Sequence, residues 1–210
     1  MTEDRTQQVS NLCSLGPRPV IMTGLMRLLL IDHFSRAENI EHDVFRQRLW
    51  KPGVETGILI EDATVWRPGA SDKRPAVIIR RNGWRNIKVG IGNVSGTSAE
   101  GFDQYTKYWR GSHTLFCLAK EGAEVEILAA ETYRFLEHFS PIFRRYFNLL
   151  LFELMEVGGL SEIREATNRY AVPITVAYGW EDSWTLQQHV PRLKRIAMSE
   201  LYPPTLATFH

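Results

Sequence analysis

Residues 123–147 constrain the fold of this chain more than any other segment. Their apolar side chains recur at steps of three and four, which places them on one face of an α-helix. We therefore predict a long helix here, kinked or broken at Pro141, because an internal proline costs about 3 kcal/mol. The apolar positions are Val125, Leu128, Ala129, Phe135, Leu136, Phe139, Ile142, Phe143 and Phe147.

Helical periodicity is also present before the middle of the chain. Residues 20–50 are predicted to be helical, and a second short helix is predicted over 41–50, where Pro52 and Gly53 would end it. The predicted core stripe of the first helix consists of Leu25, Leu28, Leu29, Ile31 and Phe34.

The middle of the chain has the composition of β-strands. Residues 56–63 and 75–79 are each predicted to form a strand. Asn82-Gly83 follows, and Asn-Gly favours a tight hairpin because a type I′ turn needs positive φ at both central residues. The sequence therefore predicts a hairpin whose return strand covers residues 84–91.

A loop and three further strands complete the prediction. Glycines and small polar residues indicate a long loop over 92–111, and strands are predicted over 112–119 and 148–157. Residues 170–180 alternate, with Val172, Ile174, Val176, Tyr178 and Trp180 on one face. Pro173 cannot donate to a sheet, so either this is an edge strand or the proline lies at a strand edge.

This order of elements predicts an α+β fold: an antiparallel sheet with a long helix packed on one face and a helical N-terminal segment. At 44% hydrophobic, the 210 residues can bury a core. We predict an N-terminal arm over 1–19, a single domain over 20–186 and a C-terminal extension over 187–210. The net charge of +1 gives no global attraction to nucleic acid. Without a long apolar run, a soluble protein made inside a cell is expected.

Residue types used in catalysis are present without a recognisable spacing. The six histidines form no HxxxH or HExxH, and the glycine-rich run at 90–96 has serine where GxGxxG needs its last glycine. Cys13 and Cys117 form no CxxC, and Cys117 is predicted to be a buried free thiol. We therefore expect no enzyme, metal site or cofactor; an enzyme could use Glu153, Asp182 and His113 by residue type alone.

Two groups of side chains are candidate contact sites. Basic residues gather at the predicted hairpin and could meet a phosphate backbone, although charge runs usually face solvent, and a solvated tip or a salt-bridging interface also explains them. The candidate lumen or DNA contacts are Arg80, Arg81, Arg85 and Lys88. The tryptophans are candidate interface anchors or core residues. They are Trp66, Trp84, Trp109, Trp180 and Trp184.

The C-terminal half resembles a known family. Residues 111–163, GSHTLFCLAKEGAEVEILAAETYRFLEHFSPIFRRYFNLLLFELMEVGGLSEI, are followed by YAVPITVAYGWEDSW at 170–184. A strand, a long helix and a closing "VPVTVxYxYxxxW"-like strand resemble the neck and tail-terminator proteins of tailed bacteriophages. Residues 74–80 resemble that family's first hairpin strand, and the likeness covers about residues 22–186.

This resemblance implies a structural virion protein, assembled in the host cytoplasm and located in the neck or tail. Its partners would be copies of itself in a ring, usually sixfold, together with tail-tube and head-connector proteins. DNA would pass through without sequence readout, and neither cofactor nor membrane is implied. The alternative from the residues alone is a nucleic-acid-binding module that uses the basic hairpin.

Overall fold

A computed structural model describes residues 19–67, 74–88, 94–97, 102–163 and 169–187. Except for Pro19 and Gln187, the predicted N-terminal arm and C-terminal extension lie outside this part of the chain. Cys13 also lies outside it. The elements are α1 (Pro19–Ser35), a 3-10 turn (Ala37–Asn39), α2 (Asp43–Arg46), β1 (Leu59–Asp62), β2 (Ala76–Ile87), β3 (Val94–Thr97), β4 (Phe102–Ala119), α3 (Gly122–Tyr146), β5 (Leu151–Val157), β6 (Ser161–Glu162) and β7 (Tyr170–Gln187).

The described strands form a seven-stranded sheet in the order β1-β2-β4-β7-β5, with β3 beside β4 and β6 beside β7. β1 pairs with β2 in parallel, whereas the other pairings are antiparallel. β4 and β7 pair along their whole lengths, from Phe102 opposite Gln187 to Ala119 opposite Tyr170. A mostly antiparallel sheet with a helix packed against it confirms the predicted α+β class.

α1 and α3 share one core against the same face of the sheet, which we call the helix face. α3 runs from Gly122 to Tyr146 without a break at Pro141. The expected break is absent because Leu136 and Phe143, on either side of the proline, are both buried against the sheet. The alternation predicted for β7 is confirmed, since its five helix-face side chains are at most 4% exposed.

The core stripe predicted for the first helix is confirmed in part, because Phe34 is buried and Leu25, Leu29 and Ile31 pack, partly buried, against the core. α1 buries Met22, Met26, Leu30 and Phe34, whereas Leu28 is 62% exposed. Residues 20–31 are apolar on nearly every side of the helix, so several stripes have helical spacing and docking on β1 and β2 selects one. The second helix is also shorter than predicted, because the chain turns back and the Trp50 N–H donates to the Phe34 carbonyl at 2.9 Å.

The predicted hairpin at Asn82-Gly83 is wrong as well. β2 continues as one strand through both residues, and Gly83 does not have positive φ. A β-bulge takes the place of the turn: Arg81 lies opposite His113 and Trp84 opposite Gly111, so β2 has one extra residue. The Asn82 amide donates to the hydroxyls of Ser112 and Thr114 at 3.2 and 2.9 Å, which holds the strand against β4.

The predicted loop at 92–111 is also incorrect where the chain is described. Residues 94–97 form β3 and residues 102–111 form the first half of β4, while 92–93 and 98–101 lie outside the described residues. Aromatic side chains at Phe102, Tyr105 and Tyr108 favour a strand, and a full-length partner in β7 outweighs the local glycines.

Around Pro173, β7 is not an edge strand, because β4 lies on one side of it and β5 and β6 on the other. The Pro173 carbonyl accepts a hydrogen bond from the Gly158 N–H at 2.7 Å. In a strand the N–H and C=O of one residue point the same way, so the missing donor of Pro173 faces this side. β5 ends here at Val157, and β6 pairs only from Ala171. The gap between these short strands accommodates the proline.

Candidate assembly surface

Burial decreases along the sheet away from the helices. On β4, residues 113–115 and 117–119 are buried, whereas residues 105–110 are only half-buried. We call the poorly covered part the sheet extension: residues 80–87 of β2, β3, residues 102–111 of β4 and residues 180–187 of β7. β4 and β7 are 18 residues each, whereas strands usually have 3–10 residues. At 3.4 Å per residue they span about 60 Å, so the sheet continues past its own core.

The bulge in β2 decides which face of the extension Trp84 occupies. Without the extra residue, Gly83 would lie opposite Gly111 and Trp84 would point to the other face, because a one-residue slip reverses every side chain. With the bulge, the Trp84 ring lies 4.6 Å from Trp109 and 6.0 Å from Trp180 on the helix face. Asn82 and Gly83, which predicted a turn, therefore lie in the bulge that brings Trp84 into an aromatic cluster.

The candidate anchors occupy three different environments. Trp84, Trp109 and Trp180 form the aromatic cluster, in which Trp180 is 4% exposed and Trp84 is 49% exposed. Trp184 stacks on Tyr105 further along the extension, at 5.5 Å between ring centroids. Trp66 packs on the opposite face of the sheet, which we call the far face. Among the five tryptophans, Trp84 is the most exposed, and the two rings beneath it support its side chain.

Gly111 determines whether Tyr178 can join this cluster. A Cβ atom at Gly111 would lie 2.8 Å from the Tyr178 hydroxyl oxygen and 2.9 Å from its ring carbon Cζ. Tyr178 is fully buried, so its ring has little room to move. The sequence contains both residues but gives no sign that they lie opposite each other on β4 and β7.

Replacing Gly111 with alanine is therefore expected to lower the free energy of unfolding by about 1–3 kcal/mol, the usual cost of overpacking. Gly83→Ala is the matched control, because a Cβ there meets nothing within 4 Å. Urea unfolding at pH 7 would give both values. Equal losses for the two variants would contradict the close approach of Tyr178 to Gly111.

The four basic candidates lie on β2 or directly after it, and all are exposed. Arg80 lies on the far face, with its guanidinium 4.8 Å from the centre of the Phe116 ring, and Arg85 lies on that face as well. Arg81 points to the helix face, near His113. In the described part of the chain none of these residues, nor Lys88, forms an ion pair. Their charges are therefore available to a partner.

A shallow groove of about 570 Å³ crosses the far face beside Arg85. Arg110 lies in it and donates to the Glu153 carboxylate at 3.1 Å. Met155, the residue at the bulge of β5, lines the same groove and is 53% exposed. Side chains of both charges therefore lie on this face, next to exposed apolar surface.

His113 is buried where the extension meets the helices. Thr23 Oγ1 lies 2.7 Å from His113 Nε2 and 3.1 Å from the Pro19 carbonyl oxygen, within hydrogen-bond distance of both. His113 Nδ1 and the Tyr178 hydroxyl have no hydrogen-bond partner among the described residues. Burial, assisted by the positive charge of Arg81 and opposed by Asp62, lowers the pKa of His113 to about 4.

The residues that an enzyme could use by type do not converge. Glu153 lies on the far face with Arg110, whereas His113 is buried on the helix face. Asp182 lies six residues along β7 from the partner of His113, Val176. Cys117 is the predicted buried free thiol, and burial raises its pKa to about 12. No three His, Cys, Asp or Glu residues of the described chain are grouped to hold a metal.

Comparison with known proteins leaves the family open. No protein-family model matches the chain, and no curated protein is similar to it at a significant level. Among the described helices, none has both the length and the apolar character needed to cross a membrane.

Proposed function

We propose that this protein is a structural ring subunit at the neck of a tailed bacteriophage, which ends the tail tube and joins it to the head connector. The observation that carries the proposal is the sheet extension. It projects past the helices, exposes Trp84 and carries four cations that make no ion pair in the described chain. Such a surface is typical of a chain whose partner supplies the missing contacts.

The order of elements supports the same proposal. A strand enters a long helix, and a closing strand with an inward row of apolar residues follows, as in the resemblance of residues 111–163 and 170–184. The nucleic-acid alternative depended on a hairpin tip that would concentrate the arginines. Arg80 and Arg85 instead lie on one face of β2 and Arg81 on the other, so they do not form a single basic surface. We therefore favour assembly.

The purified chain is expected to form closed rings as its concentration rises, seen by light scattering and by negative-stain microscopy. In the phage or prophage that carries the gene, mass spectrometry should find the protein in intact virions. Loss of the gene should leave tails of irregular length and heads without tails. A protein that stays monomeric at high concentration and is missing from purified virions would contradict the proposal.

A further inference from the structure

Both long sides of the sheet extension lack a neighbouring strand in the described part of the chain. On one side, β5 pairs with β7 only as far as Gly179, so residues 180–187 form an edge. On the other, β1 pairs with β2 only as far as Ile79, so the rest of β2 forms a second edge. An edge strand presents a row of unpaired N–H and C=O groups to another chain.

The hydrogen-bond pattern shows which groups point outward. The Gly179 carbonyl accepts from Leu150 on the outer side of β7, so Glu181 and Ser183 present their backbone groups on that side. Because Gly179 points its backbone groups outward, its neighbour Arg110 on β4 points its own backbone groups toward β2, where Arg85 lies opposite. Trp84 and Asn86 therefore direct their backbone groups outward from β2. Among the described residues, each edge thus offers several unpaired ladder positions.

The two edges have opposite charge. Residues 80–88 contain four basic residues and no acid, whereas residues 180–187 contain Glu181 and Asp182 and no base. Neither acid forms an ion pair with a described residue. Each edge carries charge on both faces of the sheet. On the far face, Arg85 lies on the β2 edge and Glu181 on the β7 edge. On the helix face, the corresponding residues are Arg81 and Asp182. The edges therefore match in length and in backbone groups, and they are opposite in charge.

From these observations we infer that the β2 edge of one copy pairs with the β7 edge of the next, so that the sheet continues from subunit to subunit. Because β2 and β7 both run antiparallel to β4, they are parallel to each other in one copy. A rotation axis along the strands keeps that direction, so the junction is a parallel pairing. The contact joins two different edges, so it is heterologous, and it forms a ring when the rotation between neighbours closes.

The shape of the subunit fits this arrangement. The sheet has β1 and β5 at its sides beside the helices, and neither flanks the extension. The extension is therefore narrower than the part of the subunit that carries the helices. When extensions pair edge to edge, the helix-bearing parts lie further from the ring axis. Trp84 lies at the junction, where a neighbour covers its exposed surface. The inference rests on the proposed function only in that both require self-assembly.

Charge reversal tests the inference. Arg81→Glu/Arg85→Glu/Lys88→Glu leaves Arg80 as the one cation on the β2 edge and so makes both edges acidic, and Glu181→Arg/Asp182→Arg makes both edges basic. Each variant alone is expected to need at least about tenfold higher concentration to assemble, because like charges then face each other. An equimolar mixture should assemble as wild type does, with the two variants alternating. Lys51→Glu/Arg145→Glu, which changes two exposed cations away from the edges, is the control and should assemble normally.

The readouts are light scattering and microscopy, with circular dichroism and thermal unfolding to show that each variant folds. If either variant assembles alone at the wild-type concentration, edge pairing is overturned while self-assembly stands. If the mixture stays unassembled, charge matching is overturned. Wild type that is monomeric at every concentration overturns edge pairing and also removes the ring from the proposed function. These three outcomes differ from one another and from the expected result.

Discussion

Replacing Leu30 with alanine is expected to lower the free energy of unfolding by about 2–5 kcal/mol, whereas Leu28→Ala should cost less than about 0.5 kcal/mol. Both leucines lie in α1, two positions apart. Leu30 is fully buried in the shared core, and Leu28 is 62% exposed. Deleting the Leu30 side chain removes apolar burial and leaves a cavity between α1 and the sheet.

Urea unfolding followed by far-ultraviolet circular dichroism would measure both changes under one condition. Residue type, helix and helix propensity are the same in the two variants, so burial is the only difference between them. Similar losses for Leu28 and Leu30, or a larger loss for Leu28, would mean that α1 docks through a different face.

Lowering the pH from 7 to 4 is expected to destabilise the protein partly through His113. The pKa of His113 falls from 6.5 to about 4 on folding, so below pH 6.5 the unfolded chain binds a proton that the folded chain resists. Stability is therefore lost as pH falls from 6.5, and the loss is complete below about pH 4. A change from 6.5 to about 4 corresponds to roughly 3 kcal/mol.

The physical reason lies in the position of the second ring nitrogen. The charged ring carries a proton on both nitrogens, and Nδ1 has no acceptor among the described residues, within a fully buried side chain. His113→Gln keeps an N–H donor that can reach Thr23 but does not titrate. Its free energy of unfolding should fall less between pH 7 and pH 4 than that of wild type. Parallel pH profiles for the two proteins would show that His113 does not contribute.

Features that are confined to a single helix or strand could be predicted from the sequence. The α3 helix follows from steps of three and four between its apolar residues, and the inward row of β7 follows from strict alternation. The burial of Cys117 follows from its apolar neighbours. In α3 and β7 one face is clearly more apolar than the other, so these elements have no competing choice of face.

The structure could not be predicted where a short sequence pattern is compatible with more than one local conformation. Asn82-Gly83 suits a tight turn locally, but the hydroxyls of Ser112 and Thr114 on β4 hold it as a bulge inside β2. The glycines at 96 and 111 suit a loop, yet both lie in strands because β4 has partners on each side. Long-range pairing supplies more favourable contacts than a local turn preference can offset.

The basic residues of β2 and the tryptophans could be chosen from the sequence alone, because exposed charge clusters and aromatics are recognisable by type. Their arrangement was decided only by the tertiary structure. One extra residue in β2 moves Trp84 to the helix face, and Gly111 lets Tyr178 pack beside it. The sequence by itself determined the periodicity of each element, which is a local property. The tertiary structure decided strand order, register and free edges, because these depend on contacts between residues far apart in the chain.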